Sequence, residues 1–244
     1  MDFRDRIHPE RQVAGFSALD GTLRFYNFVQ AAIRQSEARR ILDFGAGRGA
    51  PFDTETGWMR QVLDLRQSGA EVWAADVDPV VEEHPASDHR VILTPGEKLP
   101  FADAFFDVVV SDWTFEHIQQ PEAIANELLR VTRPGGYICA RTVNAYSYLK
   151  LASSLLPNRL HSKALGSIQP DRKEIDVFPT VYKMNSVARI GALFPNCTIG
   201  WYRDSADPSY FFGSKVVYRA FLALHRLLPN SLAVTICFFI RKND

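Results

Sequence analysis

At 244 residues, 46% apolar and 23% charged, the chain has the size and composition of one α/β domain with elaborations, which excludes a disordered or fibrous protein. Its 28 basic residues equal its 28 acidic ones. With no long basic run, it lacks the charged stripe of a general nucleic-acid binder, and no nucleic-acid partner is expected.

Taken in chain order, Met1, Asp2, Phe3, Arg4, Asp5 and Arg6 lead into no apolar stretch, so no secretory signal is expected and the cytoplasm is the expected compartment. Residues 1–40 read as an N-terminal helical segment. Across 22–33 apolar side chains recur at helical spacing, which predicts an amphipathic helix packed on a sheet. Ile41-Leu42-Asp43-Phe44 then enters Gly45-Ala46-Gly47-Arg48-Gly49, a short apolar strand running into a glycine turn. After a long polar connection, strands are expected at 71–76, 90–93 and 106–111, the first ending in Asp76. A helical pattern covers 121–131, and Pro134-Gly135-Gly136 punctuates the turn into a fifth strand at 137–141. Strands alternating with helices, several of them continuous apolar runs, predict a doubly wound, mostly parallel sheet covered on both faces.

The character changes over 145–190, where Pro157, Pro170 and Pro179 interrupt a stretch rich in Arg, Lys and His; it reads as an inserted cap. Closing strands are expected at 197–202 and 233–240, joined by a helix over 216–228. The segment 232–240 is the most apolar in the chain but well short of the roughly 20 residues of a membrane helix, so no transmembrane segment is expected. Cys139, Cys197 and Cys237 are odd in number and far apart, without a CxxC spacing. They read as small core residues, with neither a disulfide framework nor a metal site. The expected organisation is a single domain with a helical segment at 1–40, a ligand-binding core at 41–144, the cap at 145–190 and closing strands at 191–244.

A glycine turn between strand and helix lets backbone approach a ligand closely, and Asp43, Gly45, Gly47 and Gly49 fit such a site. The same turn, read as Gly45-x-Gly47-x-x-Ala50, also satisfies a permissive dinucleotide fingerprint. An acid at the end of the second strand, here Asp76, can accept hydrogen bonds from both hydroxyls of a ribose. Asp78 stands close enough to compete for that role, or to cap a helix.

Asp43-x-Gly45-x-Gly47-x-Gly49, Asp76, Glu97-x-Leu99-Pro100-Phe101, Phe106-Asp107-Val108-Val109 and Arg130-Val131-x-Arg133-Pro134-Gly135-Gly136 follow one another in a familiar order. Over roughly residues 41–144 the chain resembles the class I S-adenosylmethionine methyltransferases of the methyltransferase type 11 kind. The resemblance implies a seven-stranded Rossmann-like sheet and S-adenosyl-L-methionine as cofactor. It implies that Gly45 and Gly47 approach the methionine part, Asp76 holds the ribose and Gly96 with Glu97 lies near the adenine, with Asp43, Ala46 and Val77 also in the cofactor site. Ser111, Asp112 and Trp113 would face the sulfonium side. Two departures stand out: Pro95 replaces an acid that often contacts the adenine, and the connection from Gly49 to Asp76 is lengthened, with Pro51, Asp53, Glu55 and Trp58 in the excess as a lid, a partner surface or a tolerated insertion.

Methyl transfer from a sulfonium depends on alignment, and needs a base only when the acceptor keeps its proton. His117, placed by the pattern at the start of the helix after the fourth strand, is the first candidate base. Tyr146, Tyr148, His161, Tyr182 and Lys183 are further candidates from the cap. Arg159, His161, Lys163, Arg172 and Lys173 give the cap a positive bias suited to an acceptor with carboxylate or phosphate. Phe25 or Tyr26 reads either as a cover over the cofactor or as helix packing. The expected activity is O-methylation of a small-molecule or lipid-linked acceptor. An NAD-dependent oxidoreductase and a non-catalytic partner subunit are the competing readings, and nothing in the sequence fixes an oligomeric state.

Overall fold

The computed structural model describes residues 2–54, 57–148, 150, 180–208 and 211–244. Most of the expected cap, 151–179, lies outside the described residues.

Seven strands form one sheet: β1 (Arg40–Phe44), β2 (Glu71–Asp76), β3 (His89–Ile92), β4 (Phe106–Asp112), β5 (Thr132–Val143), β6 (Cys197–Asp204) and β7 (Thr235–Lys242). Their order is β3-β2-β1-β4-β5-β7-β6. All pairings from β3 through β5 are parallel, with Asp43 level with Ala74 on one side and Val110 on the other. The expected strands all form, and β5 departs most: it begins five residues early, at Thr132, so that Pro134-Gly135-Gly136, expected to punctuate the turn into it, lies inside the strand. The first five read clearly because β1, β2 and β4 are buried on both faces, so their sequences are nearly continuous apolar runs.

Helices α1 (Phe3–Ile7), α2 (Arg11–Ala14) and α3 (Gly21–Gln35) precede the sheet. α3 buries Phe25, Tyr26, Val29, Ala32 and Ile33, the 3–4 spacing that marks one helix face. The long connection after β1 carries α4 (Pro51–Thr54) and α5 (Gly57–Leu63); α5 buries Met59, Val62 and Leu63 and leaves Trp58 exposed. α6 (Pro121–Val131) opens on proline, whose missing N–H is no loss in a first turn. α7 (Val187–Leu193) and α8 (Lys215–Leu227) follow among the described residues, each capped by a serine, Ser186 and Ser214. Among the described residues no helix is long and apolar enough to cross a membrane.

By contact the fold divides into two compact units. The larger comprises Leu23–Val143, Pro179–Tyr202 and Ile236–Asp244. Its core packs Leu42, Phe44, Val109 and Ile138 of the sheet with Leu128 of α6, Ile190 of α7 and Phe238 of β7. The smaller comprises Met1–Thr22, Asn144–Phe178 and Arg203–Thr235, and in it the hydroxyl of Tyr218 donates to Asp207 while Phe3 and Phe211 pack edge-on against the Tyr218 ring.

Two sequence motifs have structural uses. Pro134-Gly135-Gly136 lies within β5 where its register against β4 shifts, and a Cβ on Gly136 would sit 2.7 Å from the Asp107 carbonyl. The Leu99-Pro100-Phe101 segment is fastened by α6: Glu127 accepts from the Leu99 N–H, and Arg130 donates to the carbonyls of Leu99 and Phe101.

Candidate active site

The chain leaves β1 for β2 and β3 on one side and later places β4 on the other, so the carboxyl ends of β1, β2 and β4 surround a crevice at the switch point. Gly45, just past β1, has φ +77°, and a Cβ there would lie 2.2 Å from Thr114 Oγ1. Only glycine fits. The N–H groups of Gly45 and Ala46 donate to the Ala75 carbonyl at 2.8 and 3.3 Å. Gly47 donates to Asp76 Oδ2 at 2.8 Å, and the direction of its absent side chain is open space.

Asp76 thus spans the turn, because its Oδ1 accepts from the Asp78 N–H at 2.9 Å. Asp78 is used locally: its carboxylate accepts from Val80 N–H and caps the short 3₁₀ turn Pro79–Glu83. Val77 is exposed beside Asp76, and the Leu93 N–H donates to the Asp76 carbonyl at 2.7 Å, tying the exit of β3 to the same place. Pro95, Gly96 and Glu97 are exposed, with Gly96 at φ +82°.

At the end of β4, Ser111 is fully buried and its Oγ has no hydrogen-bond partner. Asp112 and Arg141 form a two-pronged ion pair, with Nε and Nη2 each 2.6 Å from a carboxylate oxygen. Arg141 is only 5% exposed, its guanidinium 5.2 Å from the centre of the Phe25 ring and 5.0 Å from that of Trp113. Trp113 takes φ +58° with its side chain 42% exposed, a strained backbone of the kind that clusters at functional sites. Phe25 and Tyr26 are both buried, which gives them a packing role on α3.

Asp43 joins these acids. Burial, followed by repulsion from Asp112 and Asp76, pushes its pKa up to about 7. His84 Nε2 lies 3.8 Å from Asp43 Oδ2, but burial and Arg90 lower the imidazole to about 4, so it stays neutral and offers no counter-charge at neutral pH. Since the folded pKa of Asp43 exceeds the unfolded one, this group favours the folded state at low pH, and the benefit is lost as pH rises toward 7. Asp43→Asn should remove that loss and raise the melting temperature near pH 8 by about 4 to 8 °C, on the order of 2 kcal/mol. Melting curves at about pH 5 and about pH 8 test it; a parent protein equally stable at both would refute the assignment.

His117 needs a correction. It ends a 3₁₀ turn, Phe115–His117, rather than starting a helix; α6 begins four residues later, at Pro121. Proline at the first helical position and no side-chain cap at Gln120 account for the later start. Beside it stands a group that the sequence did not single out. Glu116 is buried and its Oε2 accepts from the Thr142 hydroxyl at 2.6 Å; Thr142 in turn accepts from Asn185 Nδ2 at 2.7 Å, which also donates to the Val143 carbonyl. Burial raises the Glu116 pKa against the pull of Thr142. The Glu116 carbonyl accepts from Val181 and Tyr182, and Lys183 Nζ donates to the Gln119 carbonyl, so residues 181–183 are anchored on the His117 turn.

Tyr146 and Tyr148 lie in the smaller unit, where the Tyr148 hydroxyl is 2.7 Å from His225 Nε2. Arg159, His161, Lys163, Arg172 and Lys173 fall outside the described residues. The three cysteines are free, Cys139 and Cys237 being buried. Among the described residues no group of three or more His, Cys, Asp or Glu is placed to hold a metal.

Comparison with known proteins bears on this crevice. Residues 42–140 match a family model described as a methyltransferase domain. An uncharacterized methyltransferase of Mycobacterium sp. (strain KMS) is 36% identical over 101 residues, which is 40% of this chain and 36% of that protein. A demethylmenaquinone methyltransferase of Mycolicibacterium paratuberculosis (strain ATCC BAA-968 / K-10) is 30% identical over 129 residues, 49% of this chain and 55% of that one. The chain thus spans well under two thirds of the length of these curated relatives. Among solved structures, a putative sarcosine dimethylglycine methyltransferase from Galdieria sulphuraria superposes with a TM-score of 0.54 at 14% identity, covering 91% of this chain and 86% of that one; this is a likeness of fold.

Proposed function

We infer, because residues 42–140 belong to the class I S-adenosylmethionine-dependent methyltransferase family, that the chain binds S-adenosyl-L-methionine and transfers its methyl group to an oxygen of a small or lipid-linked acceptor. The observation that carries this reading is the acidic crevice. At the carboxyl ends of β1, β2 and β4, Asp43 is repelled by Asp112 and Asp76, and Arg141 neutralises only Asp112. Such a site suits a cation and disfavours a pyrophosphate.

The same geometry weakens the dinucleotide reading. A pyrophosphate is bound by free backbone N–H groups at the start of a helix, whereas here Gly45, Ala46 and Gly47 already donate within the protein. The competing reading as a non-catalytic partner has no observation in its favour.

The residues fit the cofactor in three ways. Asp76 keeps an unused lone pair on each carboxylate oxygen, enough to accept both ribose hydroxyls. Gly47 presents backbone to open space for the methionine part, and Ser111 Oγ is a buried polar group still lacking a partner. Gly96 and Glu97 would border the adenine, and Asp112 with Trp113 the sulfonium side, where S-adenosylmethionine supplies an electrophilic methyl group. The acceptor proton falls to the His117 turn. The demethylmenaquinone methyltransferase among the relatives supports an acceptor of the lipid-linked kind. A cytoplasmic location is part of the same proposal.

Calorimetric titration with S-adenosylmethionine and with NAD tests the reading: the former should bind and the latter should not. Asp76→Ala should weaken S-adenosylmethionine at least about tenfold, because each charge-assisted hydrogen bond contributes roughly 1.5 to 3 kcal/mol. An unchanged affinity would remove Asp76 from the site, and tight NAD binding without S-adenosylmethionine binding would overturn the function.

A further inference from the structure

In the smaller unit, α8 is amphipathic in an unusual sense. Its inward face buries Tyr218 and Leu222. Its outward face divides lengthwise into two rows. At 100° per residue, Val216, Ala220, Ala223 and Leu227 fall on adjacent headings along one side, and Lys215, Arg219 and Arg226 line up beside them. All seven are exposed; Val216 and Leu227, the large apolar members, are 77% and 83% exposed, and Phe212 in the turn ahead of the helix is 64% exposed.

Scattered apolar residues on a surface need no explanation, but a contiguous row flanked on one side by cations does. None of Lys215, Arg219 and Arg226 takes part in an ion pair among the described residues. The sequence supplies no nearby acid either: between Asp207 and Asp244 there is no Asp or Glu. A second copy pairing through this face would set like charges against each other. The complementary partner carries negative charge beside a depth of hydrocarbon.

We propose that the outward face of α8 docks on an anionic lipid bilayer, with Phe212, Val216 and Leu227 entering the headgroup boundary and Lys215, Arg219 and Arg226 paired with lipid phosphates. The helix is about 20 Å long and lies in the plane of the surface, as interfacial helices do. This surface is independent of the cofactor crevice and stands or falls apart from it.

The test is sedimentation of the full chain with vesicles of phosphatidylcholine alone and of phosphatidylcholine mixed equally with phosphatidylglycerol. The parent should bind the mixed vesicles, release them at high salt, and ignore the neutral ones. K215E/R219E/R226E should lower the partition coefficient at least roughly a hundredfold, since losing three basic residues costs about a factor of five each and the new carboxylates are repelled as well. V216E/L227E should lose binding as well while melting like the parent, since both side chains are exposed. Three results would overturn the proposal. The first is no binding of the parent to mixed vesicles. The second is binding that survives V216E/L227E, which indicates adhesion by charge without insertion. The third is a parent dimer, seen without lipid and dispersed by L227E, which gives the face to a second copy. S-adenosylmethionine affinity, measured alongside, should be the same in every variant.

Discussion

Arg141→Ala should be among the most destabilising single substitutions in this chain, lowering the unfolding free energy by about 3 to 5 kcal/mol. Removing the guanidinium leaves the Asp112 carboxylate, already close to Asp43, without its counter-charge in a poorly solvated place. It also opens a void between Phe25 and Trp113, the two rings that flank the guanidinium. Arg141→Lys should recover little, because an ammonium cannot make both 2.6 Å contacts or lie flat against the rings. Removing both partners, as Asp112→Asn with Arg141→Met, should cost less than Arg141→Ala alone, since no buried charge is then left over. Urea titrations with unchanged slopes measure this. A loss below about 1 kcal/mol for Arg141→Ala would mean that water reaches Asp112 freely and that the pair is a surface contact.

His117→Ala should lower kcat by about 10² to 10⁴ with the cofactor affinity kept, the loss expected when a positioned general base is removed. The turn that carries it is held on both sides: its N–H donates to the Thr114 carbonyl, and Glu116 next to it is locked into the Thr142 and Asn185 network. That support gives a way to separate roles. Glu116→Gln keeps a hydrogen-bonding side chain of the same shape and loses the charge beside His117. If His117 is the base, kcat should fall far more in His117→Ala than in Glu116→Gln. A small loss in His117→Ala beside a large one in Glu116→Gln would make His117 packing and shift attention to Glu116.

What the sequence disclosed and what it hid have physical explanations. β1, β2 and β4 were legible because strands buried on both faces must be apolar throughout, and Asp43 and Asp76 stood out as charges within or ending such runs. Gly45 was legible as a turn, but the reason for glycine, the contact with Thr114, joins residues far apart in the chain. Glu116 was invisible for a related cause. A lone Glu in a polar stretch reads as solvated, and its burial follows from Thr142 and Asn185, which arrive from β5 and the segment before α7. The short helices α1 and α2, with four or five residues and no buried side chain, leave no periodicity to read. His117 was assigned to a helix start because the apolar spacing of α6 does not reveal the 3₁₀ turn ahead of it.

β7 follows β6 in the chain but lies between β6 and β5 in the sheet. During synthesis, then, β6 leaves the ribosome with nowhere to go. Its place at the edge is defined only when the chain has run on through α8 and delivered Thr235–Lys242 to the gap. Until then β5 offers a row of open amides and carbonyls and β6 lacks its neighbour in the sheet, the two ingredients of wrong pairing with another copy. The sheet is closed from within by a late arrival, so a chain that ends before Thr235 carries every residue of the glycine turn and still lacks the strand that joins β6 to β5.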